Sequence, residues 1–291
     1  GDAPEEMVQA LRAGLATLPA GPVTPRVTVA GTGPSGIEVE ILEKDTRATA
    51  ISFGFPIEVT RAHPDFVPLS VARAWLGEHR IASGKLFQRI REVRGINYGD
   101  YAYIEAFPRG MFQSFPDPNM ARQRQIFEVW IRPVGPAQAH MTLRIAIYEI
   151  DKLVRNGLTK ADFETTRDYL MNNVYVMTAR QNQQLGYAMD SAWYGIGEFT
   201  GFMRQALQTV TVEQVNAAIR RHLTARNLSV VIVTKDATGL KVPEQIDKER
   251  ARIGYTVGYT YQWNVEATRD AIRHFAHGCG DDNPLWCDPG H

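Results

Sequence analysis

Ser83-Gly-Lys-Leu-Phe-Gln-Arg-Ile-Arg-Glu-Val-Arg-Gly-Ile-Asn-Tyr98 reads as a short helix running into a strand. Ser83 is placed to cap the helix, and Leu86, Phe87 and Ile90 share one side of it, the side expected in the core. Gly95 lets the chain leave the helix, because glycine adopts the left-handed backbone that closes many helices. Beyond it Ile96, Tyr98, Ala102 and Ile104 alternate with Asn97, Gly99, Tyr101 and Tyr103, which predicts a strand with two differently used faces. Arg91 falls on the last helical turn and Tyr98 near the start of the strand. A guanidinium and a phenol aimed at one point can both donate hydrogen bonds, so a fitting ligand is a peptide carbonyl or the oxyanion that develops from one. The competing reading of the same two residues is a surface charge and a packed ring.

Working outward, residues 5 to 18 form an amphipathic helix with Met7, Leu11 and Leu15 in register, ending at Pro19-Ala-Gly-Pro22. This suggests a link from an upstream element. Ile37 to Leu42 and Ala48 to Phe55 are expected to pair as a hairpin around Lys44-Asp45-Thr46, and a helix from about Pro64 to Leu76 groups Phe66, Leu69 and Leu76. Phe107 to Asn119 is a proline-rich loop, and Gln125 to Val134 is a strand expected to stop at Pro133. Two helices follow, striped by Leu143, Ile147, Ile150 and Val154 and by Phe163, Leu170, Val174 and Met177; Thr159 and Asp162 can cap the second. Thr211 with Gln214 opens another helix through Val215, Ile219 and Leu223, and Leu228 to Val233 returns as a strand. Strands, then a run of helices, then one returning strand argue for an α+β fold, with an antiparallel or mixed sheet packed against a layer of helices.

The 291 residues suffice for one large or two medium domains. Lysine plus arginine equals aspartate plus glutamate at 32 each, so no net field favours nucleic acid or an anionic membrane. No apolar run approaches the ~20 residues of a membrane helix. The opening Gly1-Asp-Ala-Pro has neither methionine nor the apolar segment of a signal peptide, and is expected to belong to a mature product or an excised piece. Both cysteines, Cys279 and Cys287, fall at the far end, so the body of the chain needs no disulfide.

Leu-Phe-Gln-Arg-Ile-Arg-Glu-Val-Arg-Gly-Ile-Asn-Tyr resembles the Leu-Phe-x-x-x-Arg-x-x-x-x-Leu-x-Tyr signature in the second lobe of the pitrilysin/insulinase family of zinc metallopeptidases. The resemblance covers about Arg26 to Lys241, and Arg91 and Tyr98 match the family's Arg/Tyr pair. It implies that this pair holds and polarises a peptide substrate in a chamber whose zinc is bound by another lobe. Zinc is therefore expected on that partner lobe, with no cofactor on this chain. The partner is expected either upstream in the same polypeptide or as a separate subunit, and a bacterial periplasmic or envelope location is what the resemblance suggests.

The catalytic lobe of that family is identified by His-x-x-Glu-His, which this chain lacks. Trp75-Leu-Gly-Glu78-His79 comes nearest, but an indole nitrogen has no lone pair for zinc. Glu78 and His79 read as ordinary polar residues, and His63, His140 and His222 as isolated surface or packed histidines. Gln181 to Tyr187 and Asp190 to Tyr194 mix polar and aromatic side chains, which suits either a peptide-gripping surface or an interface between lobes. Gln184, Tyr187 and Tyr194, with Phe87, are the candidate contact residues, and the interface reading is favoured.

The composition changes after Lys241. Gly280-Asp-Asp-Asn-Pro-Leu-Trp286 resembles the Gly-Asp-x-Asn-Pro-Leu-His motif at the start of MaoC-like acyl dehydratases, with Trp286 in place of the histidine. The catalytic pair lacks a member and the segment is too short for that fold, so no dehydratase activity is expected. Cys279 and Cys287 with His274, His277 and His291 offer a metal-cluster reading of the same tail, which the motif explains better. The expected organisation is a linking helix and linker over 1–25, a lobe lacking the zinc motif over 26–241, and a linker with a truncated dehydratase-like piece over 242–291. The expected function is the substrate-holding, non-catalytic half of a zinc peptidase, inactive alone. A structural assembly subunit of the same fold is the alternative, and an acyl-thioester enzyme resting on the tail is the third.

Overall fold

The computed structural model describes residues 3–22, 25, 31–78, 82–97, 99–105, 118–119 and 121–240, all within the unit Gly1–Leu240. Tyr98, His79, most of the proline-rich loop and the dehydratase-like tail lie outside the described residues.

Five strands, β1 (Ile37–Glu43), β2 (Thr49–Ile57), β3 (Asp100–Tyr103), β4 (Gln125–Val134) and β5 (Leu228–Thr234), form one sheet in the order β1-β5-β2-β4-β3. β1 runs parallel to β5, and the other pairs are antiparallel. The fold is thus α+β with a mixed sheet. The register places Val230, Phe53, Val129 and Ala102 in one row across the sheet, all buried. Alternation along β2, where Thr49, Ile51, Phe53, Phe55 and Ile57 face inward, produces that row because the side-chain period of a strand is two.

β1 and β2 are not a hairpin. The returning β5 lies between them, and its last residue ties both neighbours: the Lys44 amide donates to the Thr234 carbonyl at 2.8 Å, and the Thr49 and Thr234 hydroxyls meet at 2.7 Å. Side-chain alternation records which face a residue uses, not which strand it pairs with, so the two readings were equivalent in sequence. β4 also runs through Pro133 rather than stopping there. Its partner β3 begins only at Asp100, four residues later than the alternation suggested.

Helices cover one face: α2 (Phe66–Leu76), the three-residue α3 (Lys85–Phe87), α4 (Ala139–Asn156), α5 (Lys160–Met177), α6 (Gln181–Tyr194), α7 (Phe199–Thr209) and α8 (Val212–His222). α2 is buried almost throughout, wedged between the sheet and α5 and α8. The expected caps form: Thr159 accepts from the Asp162 amide, and Thr211 and Gln214 complete a reciprocal capping box. Among the described residues, apolar side chains stay exposed on two elements in particular. The first is α1 (Glu5–Ala16), whose Met7, Leu11 and Leu15 form a bare stripe. The second is β1, where Val39 is 52% exposed although its partner Val230 is fully buried.

Candidate functional site

Arg91 lies on a π-helical turn, Gln88–Glu92, that continues α3. Gly84, not Ser83, occupies the capping position, and no side chain caps the helix. The turn is held instead by what lies beneath and around it. Leu86 and Ile90 are fully buried, Arg89 Nε donates to Glu149 Oε1 of α4 at 2.8 Å, and an Arg94 guanidinium nitrogen donates to the Arg89 carbonyl at 2.6 Å. Gly95, at φ +64°, donates its amide to the Arg91 carbonyl at 2.7 Å. A side chain at this position would be strained, so glycine carries the exit as the sequence suggested. Arg91 itself is half-buried, as is Phe87.

The chain then passes Asn97, which donates through its side-chain amide to Asp100 at the start of β3. Asp100 is fully buried, and burial pushes its carboxyl up to about 7, although the Asn97 hydrogen bond acts the other way. The Ala102 amide donates to the Gly77 carbonyl at 2.9 Å, fastening β3 to the end of α2. Arg91 therefore stands on a turn anchored to α4, and the strand that follows is fastened to the end of α2.

The other candidates share α6. Gln184 is exposed and Tyr194 half-buried; the Tyr194 hydroxyl accepts from the Arg122 amide at 2.7 Å and donates to the Arg122 carbonyl at 3.0 Å. Tyr187 is buried, stacked on Phe199 with ring centroids 4.3 Å apart. Gln184 and Tyr187 line a groove of about 590 Å³ between α6 and the start of α7. Over the Tyr187 ring, 4.9 Å from its centroid, sits the Arg61 guanidinium, bound to Glu105 at 2.8 Å and Asp190 at 2.9 Å. Burial alone would lower the Arg61 pKa, but the two carboxylates hold it above the ordinary arginine value. Asp190 also accepts from the Asn119 amide at 2.9 Å, tying that loop to α6.

One cluster escaped the sequence reading. His63 and Asp65, in the turn before α2, meet His222 at the end of α8. His222 Nε2 lies 2.7 Å from Asp65 Oδ2, the two imidazoles are edge-on at 5.3 Å, and Arg221 also reaches Asp65. Burial favours the neutral carboxyl, but hydrogen bonds from His222 and Arg221 outweigh it and hold Asp65 below the usual range. Burial likewise lowers His63, against the pull of Asp65. The two histidines were read as isolated because they are far apart in sequence.

Residues 1–170 match the Peptidase M16 inactive domain family. The chain belongs to that family. Uncharacterised zinc proteases of Mycobacterium bovis and Mycobacterium tuberculosis are 23% identical to this M16 inactive domain over 236 residues, 80% of the chain. The chain spans about half of their length, 48%. Solved structures share its fold. A peptidase M16 inactive domain from Pseudomonas fluorescens matches at TM-score 0.62 and 21% identity, over 81% of this chain and 52% of that one. A chain of complex III2 from Candida albicans matches at 0.63 and 13%, over 86% and 56%. The first half of the periplasmic protease PqqL from Escherichia coli matches at 0.57 and 11%, over 89% and 56%.

The residues nearest to a catalytic zinc motif do not fit a metal. Glu78 is committed to Arg73 at 2.6 Å and to the Tyr169 hydroxyl at 2.6 Å, and Trp75 stands where a first ligand would be needed. In this M16 inactive domain Glu78 is a buried packing residue.

Proposed function

We propose that this M16 inactive domain is the substrate-holding, non-catalytic half of a zinc endopeptidase, contributing Arg91 and Tyr98 to a peptide chamber completed by a zinc-bearing lobe in the same polypeptide or another subunit. The observation that carries the reading is the anchored π-helical turn beneath Arg91. Such turns are rare and recur at functional sites, and this one is tied to α4 and packed on Leu86 and Ile90. Arg91 and the phenol of Tyr98 would donate to a substrate carbonyl, stabilising negative charge that develops on its oxygen. Zinc would sit on the partner lobe, whose chemistry is activation of water. Phe87, Gln184, Tyr187 and Tyr194 would support contact with peptide or partner; the buried position of Tyr187 gives it a supporting role beneath the groove. The exposed stripe of α1 and the open side of β1 are surfaces that a second lobe would cover.

The test is cleavage of a mixed peptide library by this chain with a zinc-bearing lobe from the same genome. Activity only in the mixture, reduced at least ~100-fold by Arg91→Ala or Tyr98→Phe, supports the reading. Activity in the mixture unmoved by both changes overturns it. The alternative, an assembly subunit without proteolytic role, draws on the likeness to the complex III2 chain and predicts stable association with a partner but no cleavage.

A further inference from the structure

We infer that His63, Asp65 and His222 form a binding site for a borderline divalent cation such as Zn²⁺. One nitrogen from each histidine and one oxygen from Asp65 lie within 4.8 Å of one another. Two imidazoles and a carboxylate are a donor set that suits zinc, cobalt or nickel and leaves further positions for water. Among the described residues no other group of three such side chains converges in this way.

The donors are placed by the fold. His63 and Asp65 are two residues apart in the turn that enters α2, and His222 closes α8, a helix packed against α2. The His222 and Asp65 side chains are only 13% and 12% exposed, so packing holds them in place. Ligands about 2.1 Å from a tetrahedral ion lie about 3.4 Å apart. Seating an ion therefore closes the widest pair of the trio by up to about 1.4 Å and opens the His222 Nε2 and Asp65 Oδ2 pair, now 2.7 Å apart. The Asp65 amide donates to His63 Nδ1 at 3.0 Å, a hydrogen bond that an ion on that nitrogen would replace.

Asp65 already carries a side-chain counter-ion, which a metal must displace. Arg221 binds Asp65, and its side chain is 59% exposed, an arm lying at the surface rather than a packed part of the core. It can swing into water and leave the carboxylate to a metal. On this account Arg221 competes with the ion, and its removal must tighten binding.

The experiment titrates the full chain with Co²⁺, read by visible absorption, and with Zn²⁺, read by calorimetry. It compares wild type, His63→Ala, His222→Ala, Arg221→Ala and a Cys279→Ser/Cys287→Ser double variant. The expected result is one ion per chain, with affinity lowered at least ~10-fold by either histidine change, since a lost ligand should cost no less than a lost outer-shell partner. Affinity should rise at least about fivefold in Arg221→Ala, the effect of removing a unit charge about 4 Å away in water, and stay unchanged in the cysteine variant. Zn²⁺ should also raise the thermal midpoint of wild type by bridging α2 and α8, and should not do so in His63→Ala. Circular dichroism separates lost ligation from lost folding; if His222→Ala fails to fold, His63→Ala and Arg221→Ala decide. No stoichiometric binding, binding that survives both histidine changes, or affinity unchanged or lower in Arg221→Ala overturns the site.

Discussion

Arg61 and Arg91 are arginines of opposite design within one domain. Arg61 is 3% exposed, bonded to two carboxylates and laid on the rings of Tyr187 and Phe199, 4.9 and 5.2 Å from their centroids. Its charge is used up inside the fold. Arg91 is half-buried on a turn whose fastening comes from its neighbours: Leu86 and Ile90 below, Arg89 to α4, Gly95 at the exit. In the first case the side chain holds the surroundings together, and in the second the surroundings hold the turn that carries the side chain. Loss of Arg61 should therefore cost folding, and loss of Arg91 chemistry.

The largest effect should follow Arg61→Ala. Removing the cation leaves Glu105 and Asp190 buried without their counter-charge, which typically destabilises by about 3–5 kcal/mol. Urea unfolding of the variant against wild type measures it, and a loss below about 1 kcal/mol would dissolve the distinction between the two arginines.

Next is Asp100, beside the Arg91 corner. Its folded pKa is raised to about 7 from a reference of 3.8. Below the lower value both states are protonated and the group contributes no pH dependence. Between the two, the folded form keeps a proton that the unfolded chain has released, so stability falls as pH rises from about 4 to 7. The full difference corresponds to at most about 4 kcal/mol. Asp100→Asn should be more stable than wild type at pH 8, with the gap closing toward pH 4, and a gap constant with pH would contradict this account of the corner.

The smallest effect on stability should be that of Arg91→Ala, well below that of Arg61→Ala, because Leu86, Ile90 and the Arg89–Glu149 pair still anchor the turn. A larger loss would make Arg91 a structural residue like Arg61. A small loss joined to a large drop in peptide cleavage with the zinc-bearing lobe would sharpen the contrast.

Much of the fold was legible because its signals are local. The Thr159 cap, the Thr211 and Gln214 capping box and the exit at Gly95 each lie within a few residues of the backbone groups they satisfy. The stripes of α4 and α5 and the alternation of β2 likewise state which side is buried. The cap at Ser83 failed because Gly84 takes that position, and such helix ends shift by a residue without any change in pattern. The pairing of β1 failed for a deeper reason: its alternation fits any neighbour, and β5 lies far along the chain. Gln181 to Tyr194, read as two mixed stretches, is the single helix α6, with Tyr187 turned inward and Gln184 outward.

The class of fold, the Thr159 and Thr211 caps, the absence of a His-x-x-Glu-His motif and the likeness of the Arg91 segment to a peptidase lobe were all readable locally, since each depends on residues close together in the chain. Only the tertiary structure decided that β5 separates β1 from β2, that Arg61 meets Asp190 across 129 positions, and that Asp65 meets His222 across 157. Those contacts come from closing long loops, whose ends are brought together by burial of the core rather than by any preference of the residues that finally touch.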